Sequence, residues 1–238
     1  MARRRNGSPP PLPTGEEKTA RVRAMFDTIA PRYDLINRLM TFGLDQAWRR
    51  GTVAALALPE GSLVLDLACG TGDLSRLALR QGYRVVGTDL SAGMLGANAT
   101  ATPLVEADGS NLPFVDGSFD GLVCGYALRN FTDLAATLAE SARILRPGGR
   151  LAVLEVDTPT APLWRAGYNL WFTKAVPALG AALSDREAYR YLPQSVAYLP
   201  PAPVLRTMLL QAGFSAVGIR PLAGGLSQMV VATRTGGP

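Results

Sequence analysis

Five short apolar runs separated by helical stretches dominate the middle of this 238-residue chain. They read "SLVLDLA" (62–68), "YRVVGTDL" (83–90), "PLVEAD" (103–108), "SFDGLVCGYAL" (118–128) and "RLAVLEV" (150–156). Between them, "GDLSRLALRQG" (72–82) carries helical spacing and a terminal Gly82, and Ser91 is placed to cap a further helix. "DLAATLAESARIL" (133–145) is a third helix, stopped by "RPGG". Strands that recur with helices of about ten residues between them demand a parallel sheet covered on both faces. Near the end, "FSAVGIRPL" and "LSQMVVATRT" are joined by the short "AGG", which reads as a hairpin and turns one strand antiparallel. The expected fold is therefore α/β, with a mostly parallel seven-stranded sheet and one antiparallel strand near the C-terminus.

The flanking segments divide the chain further. Residues 1–20 read as a disordered basic arm, and 21–238 as a single domain. Within it, 21–58 should form N-terminal helices, with Met25, Phe26, Ile29, Leu35, Ile36, Leu39 and Met40 at three-and-four spacing, a break at Pro31, and a second helix over Leu44–Leu58. Residues 62–156 are the ligand-binding core and 201–238 the final helix and strand pair. Segment 157–200 holds seven of the 17 aromatic residues, Tyr198 among them, and reads as a helical lid insertion for a flat, apolar substrate.

Charge and cysteine content narrow the chemistry. The net charge is +5, but residues 1–23 hold six basic and two acidic residues, which leaves +1 for the rest. A body so nearly neutral is not a nucleic-acid surface. The arm itself reads as a solvated tail or as weak attraction to an anionic membrane face. No apolar run reaches the ~18 residues that span a bilayer, and no apolar segment follows Arg3–Arg5 as a secretory signal would require. Two cysteines, Cys69 and Cys124, and no histidine argue against a disulfide framework and a metal site. They point to a reducing, cytoplasmic location, with peripheral contact at the inner membrane face as an open alternative. The two thiols, at the ends of neighbouring strands, should lie close together and free.

The turn in "LDLACGTGDLS" (65–75) decides the ligand class. Gly70, Thr71 and Gly72 follow a strand and let the backbone approach a nucleoside closely, and Asp89 at the end of the second strand can hold ribose hydroxyls. A dinucleotide fingerprint would place a third glycine at 75, where this chain has Ser75. Asp66, just before the turn, would repel a pyrophosphate but suits a sulfonium and an α-amino group. Asp108 and Gly109 offer an acceptor and a backbone donor to the edge of adenine. These residues favour S-adenosylmethionine over a nicotinamide cofactor.

With these motifs in view, the sequence resembles the menaquinone/ubiquinone C-methyltransferases, within the class I methyltransferases and their Rossmann-like fold. The likeness runs from about Val22 to the last strand. It is carried by "MFDTIAPRYDLINRLMTFGLDQAWRR" (25–50), "LDLACGTGD" (65–73), "YALRNFTD" (126–133), "LRPGGRLAVLE" (145–155) and "YRYLPQSV" (189–196). It departs at Asp45, where many relatives have histidine, and at Gly125, where some have serine. The resemblance implies methylation of a ring carbon of a polyprenylated demethylnaphthoquinol, demethylmenaquinol to menaquinol. The ubiquinone-pathway benzoquinol is the sister substrate, and another apolar small molecule or a non-catalytic nucleoside-binding role are the wider alternatives. Nothing in the sequence calls for an obligate protein partner.

Without histidine, the groups expected to act on the quinol are Arg129, stabilising its oxyanion, and Asn130, orienting a water. Tyr33 and Asp34 are expected to close the pocket from the N-terminal helices.

Overall fold

A computed structural model of the chain describes residues 14–30, 38, 41, 43–157, 159 and 195–236. The elements in chain order are α1 (Gly15–Ile29), α2 (Leu44–Ala54), β1 (Leu63–Leu67), α3 (Asp73–Arg80), β2 (Arg84–Asp89) and α4 (Ala92–Gly96). They continue with β3 (Leu104–Glu106), β4 (Phe119–Gly125), α5 (Leu134–Ile144), β5 (Leu145–Val156), α6 (Ala202–Gln211), β6 (Phe214–Leu222) and β7 (Ser227–Arg234).

The seven strands form one sheet in the order β3-β2-β1-β4-β5-β7-β6. Strands β1 to β5 pair in parallel, and β7 runs antiparallel to both β5 and β6. The expected α/β sheet with one antiparallel strand is the one observed. Period-two alternation divides the core between its faces. Leu65 and Leu67 join Leu122, Cys124, Leu138, Leu205 and Phe214 on one side, under α5 and α6. Val64 and Val123 join Val53, Leu74, Leu77 and Ala78 on the other, under α2 and α3. The order reverses at β1, where β2 lies on one side and β4 on the other. That switch point places a crevice at the carboxyl ends of β1 and β2, beside the glycine turn.

Three boundaries differ from the sequence reading. Helix α1 begins at Gly15, inside the segment expected to be a disordered arm. Its Glu16 and Glu17 occupy the first turn, where carboxylates complement the helix dipole, and Lys18, Val22 and Ile29 form a buried stripe. Helix α2 ends at Ala54, before Leu58, because Leu56 turns into the core and Ala57 takes a left-handed conformation (φ 50°). Strand β5 begins at Leu145, so "RPGG" is a bulge within the strand, between Leu145 opposite Phe119 and Arg150 opposite Gly121.

Most of 157–200 lies outside the described residues, as do Tyr33, Asp34, Leu35, Ile36, Leu39 and Met40. Tyr198, counted above among the lid aromatics, stands against α1, with its ring 3.9 Å from Lys18 Nζ. Both cysteines are buried and free. Cys69 Sγ faces the β2–β3 side, where a Cβ on Gly87 would come within 2.9 Å of it, whereas Cys124 belongs to the cluster beneath α5 and α6.

Candidate active site

The carboxyl ends of β1 to β4 surround a cavity of about 980 Å³, including its open mouth, and α1 forms its roof. Two non-glycine residues at this edge have left-handed backbones, Ala68 (φ 55°) after β1 and Tyr126 (φ 61°) after β4, and both line the cavity. Such conformations are costly away from glycine and cluster at ligand sites. Here they turn the chain sharply at the two strand ends that flank the switch point.

The glycine turn is shaped for close approach. Gly70 has φ 52° and lines the cavity with Thr71. Gly72 does not line it. It is the residue before α3, with φ 88°, and a Cβ there would strike the Asn98 and Thr100 side chains at 2.7 Å. Its glycine is demanded by packing and by its left-handed backbone.

Asp66 is 1% exposed. One of its oxygens accepts the Ser75 hydroxyl at 2.6 Å, and the other has no hydrogen-bond partner among the described residues. Burial pushes its carboxyl up to about 7, against the opposing pull of Ser75 and Arg49. Asp89, also raised by burial, accepts the Gly70 and Ser91 backbone N–H groups, each at 2.9 Å. These bonds tie the turn to the end of β2 and leave acceptor capacity on a carboxylate that lines the cavity. Asp108 accepts the backbone N–H and hydroxyl of Ser110 and lines the cavity with Gly109. A Cβ on Gly109 would come within 2.9 Å of the Phe131 ring, so the wall closes tightly there.

After β4, a single turn of 3-10 helix over Leu128–Asn130 sends adjacent side chains in different directions. Asn130 lines the cavity, with its Oδ1 buried and without a hydrogen-bond partner among the described residues. Arg129 does not line it. Its guanidinium is buried in an ion pair with Glu155 of β5 and also donates to Tyr126 O and Ser195 Oγ. A guanidinium so desolvated needs a carboxylate, and Glu155, with no exposed surface, supplies it. Arg129 therefore braces the loop after β4 against β5. Tyr33 and Asp34 lie outside the described residues.

Several residues that line the cavity or hold its roof in place escaped the sequence reading. Asp27 of α1 accepts the Ser91 hydroxyl at 2.5 Å and the Gly93 N–H at 2.9 Å. Lys18 donates to Phe131 O at 2.7 Å, Thr19 and Thr132 share a hydroxyl contact at 2.6 Å, and Arg23 pairs with Glu106. The roof is thus clasped to the loops after β2, β3 and β4. Arg49 of α2 also lines the cavity, over the Tyr126 ring at 5.3 Å. Its signal was Asp45 four residues earlier, an ion-pair spacing on a helix that the sequence reading took only as helical packing.

The chemistry of this donor set suits a cationic nucleoside. Asp66 and Asp73 flank the turn and would repel a pyrophosphate, while unpartnered oxygens on Asp66 and Asn130 call for donors. Comparison with known proteins agrees. A model of the ubiE/COQ5 methyltransferase family matches residues 14–235. A demethylmenaquinone methyltransferase of Corynebacterium kroppenstedtii is 41% identical over 93% of this chain and 97% of its own. A ubiquinone/menaquinone biosynthesis C-methyltransferase UbiE of Geobacter sp. strain M21 is 38% identical over 92% of this chain and 98% of its own. Among solved structures, a SAM-dependent methyltransferase of Thermotoga maritima superimposes with a TM-score of 0.64 at 20% identity, covering 90% of this chain and 100% of that one. A Haemonchus contortus phosphoethanolamine N-methyltransferase bound to S-adenosylmethionine gives 0.57 at 15% identity, covering 78% and 53%. These two neighbours share the class I methyltransferase fold. By the match along nearly its whole length, the chain belongs to the ubiE/COQ5 methyltransferase family.

Proposed function

We propose that this S-adenosylmethionine-dependent methyltransferase methylates a ring carbon of a polyprenylated demethylnaphthoquinol, converting demethylmenaquinol to menaquinol. The observation that carries the choice of substrate is a pattern among its relatives. Four relatives 41% identical bear the name demethylmenaquinone methyltransferase, whereas four named for both quinones are 37–38% identical. The benzoquinol of the ubiquinone pathway is the second reading.

When bound, S-adenosylmethionine supplies an electrophilic methyl group on a sulfonium. The chain's own residues have to orient, shield and polarise. In this reading Asp89 accepts the ribose hydroxyls, Asp108 and Gly109 meet the base, and Asp66 faces the amino-acid end. Asn130 offers its unpartnered Oδ1 to the quinol hydroxyl beside the reacting carbon. Tyr126 is a poor base, since burial pushes its phenol up to about 12. Positioning is therefore the main contribution expected of the protein, an effect that reaches about 7–11 kcal/mol in favourable cases.

No helix among the described residues is long and apolar enough to cross a membrane. A polyprenyl substrate resides in the bilayer, so the enzyme works in peripheral contact with it, assisted by the basic residues Arg3–Arg5. The test is incubation with methyl-labelled S-adenosylmethionine and each demethylated quinol, reduced and presented in vesicles. Label in the naphthoquinol lipid is expected; label in the benzoquinol alone would overturn the reading.

A further inference from the structure

We infer that Arg49 is the anchor for the methionine carboxylate of S-adenosylmethionine, held ready by Asp45 and Asp73. The inference rests on the cofactor and its placement along the sheet edge, and not on the identity of the quinol.

The strand order sets the direction in which the cofactor lies. Asp108 and Gly109 follow β3, Asp89 ends β2, and Asp66 lies in β1. With the base at β3 and the ribose at β2, the amino-acid end points across β1 toward β4, each strand adding about 4.8 Å. A carboxylate delivered to that buried end needs a cation, because an unpaired buried charge is costly. Among the described residues, the lining holds two basic side chains, Arg23 and Arg49. Arg23 is paired with Glu106 of β3, on the half-exposed rim at the base end. Arg49 stands at the other end, against Tyr126 and Gly125, and is 5% exposed.

The surroundings of Arg49 fit this task. Its Nε lies 3.5 Å from Asp45 and 3.6 Å from Asp73, ion-pair distances that fix the side chain. Asp45 is in turn held by the Thr41 hydroxyl at 2.9 Å, and Asp73 by Arg76. Gly125 provides the clearance, since a Cβ there would come within 3.4 Å of Arg49 Nη1 and 2.9 Å of Leu74. Asp66 lies near enough for Arg49 to depress its pKa. An α-amino acid therefore meets a carboxylate for its ammonium and a guanidinium for its carboxylate. Asp45 and Asp73 are positioning residues in this arrangement.

The test compares two probes by calorimetry with no quinol present: S-adenosylmethionine, and its decarboxylated analogue, which keeps the nucleoside, sulfonium and amine. The wild-type enzyme should bind S-adenosylmethionine about ten- to a hundredfold more tightly than the analogue, the range for a hydrogen-bonded charged pair. Arg49→Met should abolish that preference, even where loss of its pull on Asp66 weakens both probes alike, and Arg49→Lys should retain part of it. A wild-type enzyme that binds both probes equally would overturn the inference. So would an Arg49→Met or Arg49→Lys variant that keeps the full preference. Failure of the naphthoquinol reading would leave these results untouched.

Discussion

Ser75 stands where a dinucleotide-binding turn would carry its third glycine, and its hydroxyl is spent on Asp66. The pair puts a buried carboxylate beside the turn. Because burial raises Asp66 to about 7 while the unfolded value is near 4, the native state holds a proton between those limits that the unfolded chain has released. Stability from this group is thus complete below about pH 4 and lost as pH rises to about 7. Cofactor binding has the opposite sign. A cationic ligand favours the carboxylate, so affinity should fall as pH drops below 7, by at most about tenfold per unit, with a proton released on binding. Calorimetry at pH 6 and 7.5 in buffers of different ionisation enthalpy measures both, and Asp66→Asn should flatten the profile. At β2, Asp89→Ala should weaken S-adenosylmethionine binding by about 1.5–3 kcal/mol. Wild-type affinity in a folded Asp89→Ala protein would remove Asp89 from the site.

At the scale of elements, the strands were legible and the roof was not. Runs such as "LVLDL" and "FDGLVCG" are apolar on both faces, which only a covered parallel strand satisfies, and the serine cap of α4 was readable because Ser91 precedes its helix directly. Helix α1 was legible as a helix but not as a roof. Its contacts join residues 64 to 113 positions apart, and nothing local marks Asp27 as the acceptor for Gly93 or Lys18 as the donor to Phe131. The partner of Arg129 was hidden for a related reason. The motif placed Arg129 correctly after β4, but Glu155, 26 residues on, decides which way it points. The α1–α4 junction offers a direct probe. A Cβ on Gly93 would come within 2.9 Å of the Asp27 backbone, which has no room to yield without moving the helix. Gly93→Ala should therefore weaken S-adenosylmethionine binding while leaving the far-ultraviolet spectrum of the sheet and helices intact. Equal affinity for variant and wild type would show that α1 is not needed to hold the cofactor.

Across the whole molecule, one cavity gathers side chains from α1, α2 and the ends of β1 to β4. A ligand there bridges α1, α2 and the strand ends at once. At a hundred times its dissociation constant, a ligand that binds only the folded state adds about 2.7 kcal/mol, which for a chain of this size raises Tm by about 5–11 °C. Reductant alone should leave Tm unchanged, because Cys69 and Cys124 are free thiols. The roof has a further consequence for how the enzyme is handled by proteases. Helix α1 carries Lys18, Arg21 and Arg23, all potential tryptic sites, and its buried stripe is only three residues long. Its hold on the body depends on clasps at the mouth of the cavity that a bound nucleoside fills. Cleavage within this helix should thus be faster in the empty enzyme, and S-adenosylhomocysteine should slow that cut selectively, making the rate of cleavage at Arg21 and Arg23 a gauge of how much of the enzyme is loaded.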